Sequence, residues 1–116
     1  MSDAIPVLKD IVRQHAEQAA FLWTIYDDAL LNPDEERNEN MDDTRIARVR
    51  DQLEAHIDGL RIAGKTGRTI AQERYNEFPE AGELFVLRML HPGAERLTIA
   101  TLDLDGVRRY LDHHLA

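Results

Sequence analysis

The stretch over residues 8–30 limits what this chain can fold into more than any other. Its apolar or semi-apolar residues recur at steps of four and three, the spacing of the face that an amphipathic helix presents to a partner. They are Leu8, Val12, His15, Ala19, Leu22, Tyr26 and Ala29. Five further residues widen this stripe, so more than one neighbour must cover it: Ile11, Ala16, Ala20, Trp23 and Ile25. The pattern predicts the long first helix of an all-α domain.

A second stretch repeats the period and predicts a helix that begins after Asp42 or Asp43 and ends near Ala63, with Gly64 as its stop. The first helix should end near Leu30, because the residue before Pro33 is pushed out of helical geometry. If the two helices fold back on each other, the residue numbers of each facing pair sum to 71 or 72, as an antiparallel hairpin requires. The pairs are Leu8/Ala63, Val12/Leu60, His15/His56, Ala19/Leu53, Leu22/Val49 and Tyr26/Ile46. A slide of one heptad would also align the stripes, but the length of the connecting loop favours this register.

After Gly64 the predicted elements are shorter. We expect a helix over residues 67–78, and another that opens at Pro79 and ends at His91-Pro92-Gly93. Residues 94–104 contain β-branched side chains that would suit a strand, but a lone strand has no partner, so we predict helix there. Asp105-Gly106 should break that helix before a last short one. The whole chain, 1–116, is then a single α-helical domain, with a long hairpin over 1–64 and shorter, HEAT-like helices over 65–116.

Acidic residues are concentrated at the predicted bend of the hairpin. The net charge is −8, and residues 27–43, which we call the acidic segment, hold eight acids and one base. Such runs are usually solvated connections, but a local negative field can also steer a basic protein partner. We therefore predict a partner-binding set of Asp27, Asp28, Asp34, Glu35, Glu36, Glu39, Asp42 and Asp43. Direct binding of nucleic acid is not expected, because no basic cluster with interleaved aromatic residues is present.

Two short motifs favour ordinary structure over ligand binding. Residues 59–66 match the phosphate-loop pattern G-x-x-x-x-G-K-[ST] letter for letter, but the first five continue the second helix, where their amides are already bonded. Thr101, Asp103, Asp105 and Asp112 fall near calcium-loop positions, yet the first and last ligands of that loop are not matched. We interpret the first motif as a helix end and the second as a turn.

No residue pattern indicates a catalytic or cofactor site. The predicted hairpin brings His15 and His56 together, but a metal needs a third ligand, and Glu17 and Glu54 should point away from that seam. We interpret the histidines as a partly buried packing pair, and Trp23 as a core residue. The hydroxyl residues have no evident histidine and acid partners. We therefore expect no enzyme activity, no cofactor and no metal.

The chain also carries no sign of export or membrane insertion. It has no cysteine, which fits a reducing compartment. Its first residues lack the basic region and apolar run of a signal peptide, and no apolar run is long enough to span a bilayer. We expect a cytoplasmic protein that does not bind membranes, with a homodimer left open.

Two runs resemble hallmark motifs of a proteobacterial family. Residues 14–23 read QHAEQAAFLW and residues 53–64 read LEAHIDGLRIAG. They are similar to the HAEEAAFLW and LEAHLDGLR-AG helices that open HEAT-repeat-like proteins found among type VI secretion genes. The resemblance covers roughly residues 5–90. It departs where Gly67 is followed by Arg68 and not by tryptophan, and the long repeat array of that family does not follow.

The resemblance implies a non-catalytic protein-binding function. Some members of that family are thought to act as immunity proteins that neutralise a toxic effector, in some cases a nuclease. By this resemblance the chain is expected to bind and block a basic toxin. The alternative is a scaffold or adaptor of the secretion machinery that binds or loads an effector.

Overall fold

The computed structural model describes residues 4–94 and 96–115, with side chains from Leu8 onward. Within these ranges every regular element is helical, which confirms the all-α prediction. Three short 3-10 turns lie at Glu36–Asn38, Pro92–Ala94 and Ile99–Thr101. The α-helices are α1 (Ala4–Leu31), α2 (Asp43–Ile62), α3 (Lys65–Glu77), α4 (Ala81–Leu90) and α5 (Leu104–Leu115).

Helices α1 and α2 form an antiparallel hairpin in the predicted register. The Nδ1 atoms of His15 and His56 are 2.9 Å apart, which places that predicted pair face to face. The Asp42 side chain caps α2 by accepting a hydrogen bond from the Arg45 amide at 2.9 Å. After α2, Gly64 adopts a positive φ of 61°, a conformation that glycine reaches without strain. Both ends of α2 therefore form as the sequence predicts.

Helix α4 packs across α1 and closes the core. The rings of Trp23 and Phe85 stack with centroids 3.9 Å apart and planes 4° apart, and both side chains are almost fully buried. Gly82 lies against the backbone of Ala20, so the two helices approach closely at the first turn of α4. Trp23 is thus a core residue, as predicted.

The chain between α4 and α5 differs from the prediction. A continuous helix over residues 94–104 is wrong, because the described residues form two 3-10 turns joined by non-helical backbone. Side chains of α2 hold residues 94–99 in this conformation. The amide of Ile99 donates to the Glu54 carboxylate at 2.7 Å, while Arg61 donates to the carbonyl oxygens of Met89, Ala94 and Leu97 at 3.0–3.3 Å.

Three predicted helix boundaries also move. Helix α3 begins at Lys65, two residues before the predicted start at Gly67. Asp105-Gly106 does not break a helix but lies in the first turn of α5, because the Asp103 carboxylate accepts a hydrogen bond from the Gly106 amide at 3.2 Å. This is the contact that a capping carboxylate makes at a helix start. Helix α4 begins at Ala81, two residues after the predicted start at Pro79, and Glu80 is its N-cap.

Candidate partner-binding surface

The bend between α1 and α2 is built around the carboxylate of Asp28. Arg37 donates to it twice, from Nε and Nη2, both at 2.7 Å. Asn32 and Asn38 donate to the same carboxylate at 2.8 and 3.1 Å. Asn38 is buried and also donates to the carbonyl oxygen of Asn32 at 2.9 Å. Three side chains of the bend are thereby tied to one carboxylate.

These contacts fix the charge state of the bend. The hydrogen bonds from Arg37, Asn32 and Asn38 hold the pKa of Asp28 well below its usual range. The reciprocal bond and the negative charge of Asp28 raise the pKa of Arg37. Because hydrogen bonds to the charged form favour that form, the two groups remain an ion pair at any physiological pH. The only base of the acidic segment is therefore engaged with one of its own acids.

The structure divides the predicted partner-binding set into two groups. Asp27 accepts a hydrogen bond from Arg108 of α5 at 2.8 Å, Asp28 organises the bend, and Asp42 caps α2. These three acids stabilise the fold. The other five carboxylates are exposed to solvent, namely Asp34, Glu35, Glu36, Glu39 and Asp43. Of these, Glu35 makes a long contact with Arg37 at 3.8 Å, and both side chains are more than half exposed.

The backbone holds these exposed acids in one arrangement. The amides of Asn32, Glu35, Asn38, Glu39 and Met41 all donate to carbonyl oxygens within the bend, at 2.8–3.2 Å. An ordered loop presents its side chains without the entropy cost of ordering the backbone at the moment of binding. The surface is thus acidic and preorganised.

The histidine pair lies inside the hairpin, and no acid among the described residues completes a metal site beside it. Glu17 is 3.6 Å from Arg74, and Glu54 accepts from the Ile99 amide. The pKa of His56 is lowered mainly by burial and, to a smaller extent, by the electrostatic effect of His15. Among the described residues, no group of three potential metal-binding side chains comes together. The arrangement is that of two partly buried rings in a helix seam, with their planes tilted by 54° and their Nδ1 atoms within hydrogen-bond distance.

The phosphate-loop match and the calcium-loop match have structural roles. Residues 59–62 lie in the last turn of α2 and Lys65 begins α3, so the first part of the motif continues the second helix, as predicted, and Gly64 marks the junction with the third. In the second match, Asp103 accepts from the Gly106 amide and Asp105 lies 3.3 Å from Arg108.

One cavity was not predicted from the sequence. It has a volume of about 660 Å³, lies between α3, α4 and α5, and includes Arg68, Arg88 and Tyr110 in its lining. The apolar spacing of α4 predicted burial on most sides, and no local signal showed that part of its surface would face an open groove. We call this cavity the arginine groove.

Comparison with known proteins adds no assignment. No family model, curated protein or solved structure gives a significant match to the chain. None of the helices in the described ranges has both the length and the apolar character needed to cross a membrane.

Proposed function

We propose that this protein is a non-catalytic binding module that docks a basic protein partner on the acidic segment. The observation that supports this most is the state of the five exposed carboxylates at the bend. Four of them, Asp34, Glu35, Glu36 and Glu39, lie on a hydrogen-bonded loop, and Asp43 begins α2. The one base of the segment is engaged with Asp28. A surface of this kind carries negative charge that the fold does not use.

The physical consequence is electrostatic steering. Clustered charge of one sign accelerates encounter with a partner of opposite sign, and the acceleration falls as salt screens the field. Because the bend is already ordered, less of the interaction energy is lost to fixing the loop. A preorganised acidic surface is therefore suited to rapid capture of a basic protein.

We further propose that the captured partner is a toxic effector of a type VI secretion system and that binding neutralises it. This part depends on the resemblance of residues 14–23 and 53–64 to the family described above. An inhibitor acts by occupying the functional surface of its target and needs no catalytic residues of its own. The acidity of the bend suits a target that is basic because it handles nucleic acid.

The experiment compares two variants with the same net charge. The first neutralises the bend with Asp34→Asn, Glu35→Gln, Glu36→Gln and Glu39→Gln. The second neutralises four exposed acids elsewhere, with Asp51→Asn, Glu73→Gln, Glu77→Gln and Asp112→Asn. Each changes the net charge from −8 to −4. The binding partner that the proposal requires is a toxic effector encoded by a neighbouring gene, and its association rate would be measured by stopped-flow mixing over a range of salt concentrations.

We expect the bend variant to associate about tenfold more slowly at low salt and to lose most of its salt dependence. The distant variant should keep a faster association rate and a stronger salt dependence than the bend variant, because its substitutions lie outside the proposed interface. Cells that express the effector should be rescued by the unmodified protein and less well by the bend variant. Equal association rates for the two variants would remove the acidic segment from the interface, and binding without rescue would favour the adaptor role.

A further inference from the structure

The arginine groove combines two guanidinium groups with an apolar floor. The cavity of about 660 Å³ is lined by Arg68 of α3, Arg88 of α4 and Tyr110 of α5. The apolar part of the lining includes Leu84, Leu87 and Leu97. No acidic residue is found among its described lining residues. In a chain with 22 acids and 14 bases, this is a local region of opposite charge.

The two arginines are not neutralised by the described part of the fold. Arg61, Arg74 and Arg108 all contact carboxylates, whereas Arg68 and Arg88 make no such contact with a described residue. The Arg88 guanidinium lies over the ring of Tyr110, 5.1 Å from its centroid. Its Nε atom is buried and makes no hydrogen bond to a described residue. A buried donor without an acceptor is costly, and the described part of the chain leaves some of the hydrogen-bonding capacity of this guanidinium unused.

The rim of the groove is held in place by Arg61. This side chain is only 16% exposed, and it donates to the carbonyl oxygens of Met89, Ala94 and Leu97. His91, which also lines the groove, accepts a hydrogen bond on Nδ1 from the Gly93 amide at 3.1 Å. A neutral His91 ring therefore carries its proton on Nε2 and has a donor to offer. The groove is thus formed before any ligand arrives.

We propose that the arginine groove is a binding site for a small amphiphilic carboxylate. The carboxylate would bind Arg68 and Arg88, and its hydrocarbon body would pack on the leucine side chains. Small-molecule sites are mostly apolar clefts of this size with a few polar groups that set orientation. Charge-assisted contacts from guanidinium to carboxylate are among the stronger hydrogen bonds in proteins. This site is separate from the acidic segment, so the proposal does not depend on the proposed function.

The test uses octanoate as the probe, because it stays monomeric at millimolar concentration. Amide shifts of the isotopically labelled protein are followed as octanoate is added, with 1-octanol and octylammonium as matched ligands of the same chain length. The same titration is run on Arg68→Gln, Arg88→Gln and the control Arg48→Gln, which changes an exposed arginine of α2 outside the groove lining. Arg68 is exposed, so its variant should fold even if the Arg88 variant does not.

We expect saturable shifts for amides over residues 84–97 and 104–111, and weaker binding of 1-octanol and octylammonium. Arg68→Gln and Arg88→Gln should each weaken octanoate binding by about tenfold or more, as expected for loss of a hydrogen bond to a charged group. Arg48→Gln should bind like the unmodified protein. The proposal is overturned by an absence of saturable shifts, by equal binding of 1-octanol, or by unchanged binding in Arg68→Gln.

Discussion

Replacing Gly82 with alanine tests whether the close approach of α4 to α1 determines the stability of the core. An added Cβ would overlap the carbonyl oxygen of Ala20 and stand 3.0 Å from its carbonyl carbon and 3.2 Å from its Cα. These are backbone atoms of α1, so no flexible side chain can move aside. Ordinary contacts between carbon atoms are about 3.5–4.0 Å. Helix α4 must therefore withdraw by several tenths of an ångström, or α1 must bend.

The size of the effect follows from two opposing terms. Alanine gains up to about 1 kcal/mol over glycine in a helix interior, whereas overpacking in a close-packed region costs about 1–3 kcal/mol or more. Withdrawal of α4 would also loosen the stack of Trp23 on Phe85, and a gap of 0.5–1 Å forfeits roughly a quarter to a half of the dispersion energy of such a contact. We expect Gly82→Ala to lower the free energy of unfolding by about 2 kcal/mol.

Urea denaturation followed by tryptophan fluorescence measures this change. The matched control is Gly93→Ala, where the nearest atom to an added Cβ is Nδ1 of His91 at 3.4 Å, an ordinary contact. The control should change the free energy of unfolding by less than about 0.5 kcal/mol. A Gly82→Ala variant as stable as the original protein would show that the close approach does not limit stability.

Three further predictions concern the hairpin seam and the C-terminal helices. Because burial lowers the pKa of His56 below its ordinary value of 6.5, the unfolded chain binds a proton that the folded chain resists, so stability should fall as pH drops through about 6.5. Thermal melting of the original protein and of His56→Gln from about pH 7.5 to 5.5 checks this, and parallel curves would contradict it. Arg61→Met should lower the free energy of unfolding by about 3 kcal/mol in urea, because three carbonyl oxygens lose a charged donor; a loss below about 1 kcal/mol would contradict this role. Asp103→Ala should cost about 1 kcal/mol in a thermal melt by removing a capping carboxylate from α5, and an unchanged melting temperature would show that the cap contributes little.

The hairpin could be predicted because it depends on the periodic spacing of apolar residues and on helix-ending signals that are local in the sequence. Stripes with matching spacing on two long helices define which faces meet, and the loop length selects the register, so the His15–His56 pair follows from counting residues. The helix-ending signals at Pro33 and Gly64 are also local. Such features depend only on residues within one or two helical turns of each position, so they can be read from the sequence alone.

The chain between α4 and α5 could not be predicted in the same way. Its path is set by Glu54 and Arg61, which belong to α2 and reach residues 28 to 45 positions away. The division of the acidic segment has a similar origin. The sequence shows eight acids but not that Asp27 is paired with Arg108, 81 residues further on. Local propensity over residues 94–104 favoured a strand, and helix was predicted only because a lone strand has no partner. The observed turns are instead held by hydrogen bonds with side chains of α2.

The stacking of Trp23 on Phe85 gives the protein an internal optical probe. Trp23 is the sole tryptophan of the chain, and its ring lies at the contact between α1 and α4, outside the acidic segment and not among the residues that line the arginine groove. A change in its emission therefore reports separation of those two helices. Ligand binding at either surface that leaves this emission unchanged can be attributed to local adjustment, without opening of the core.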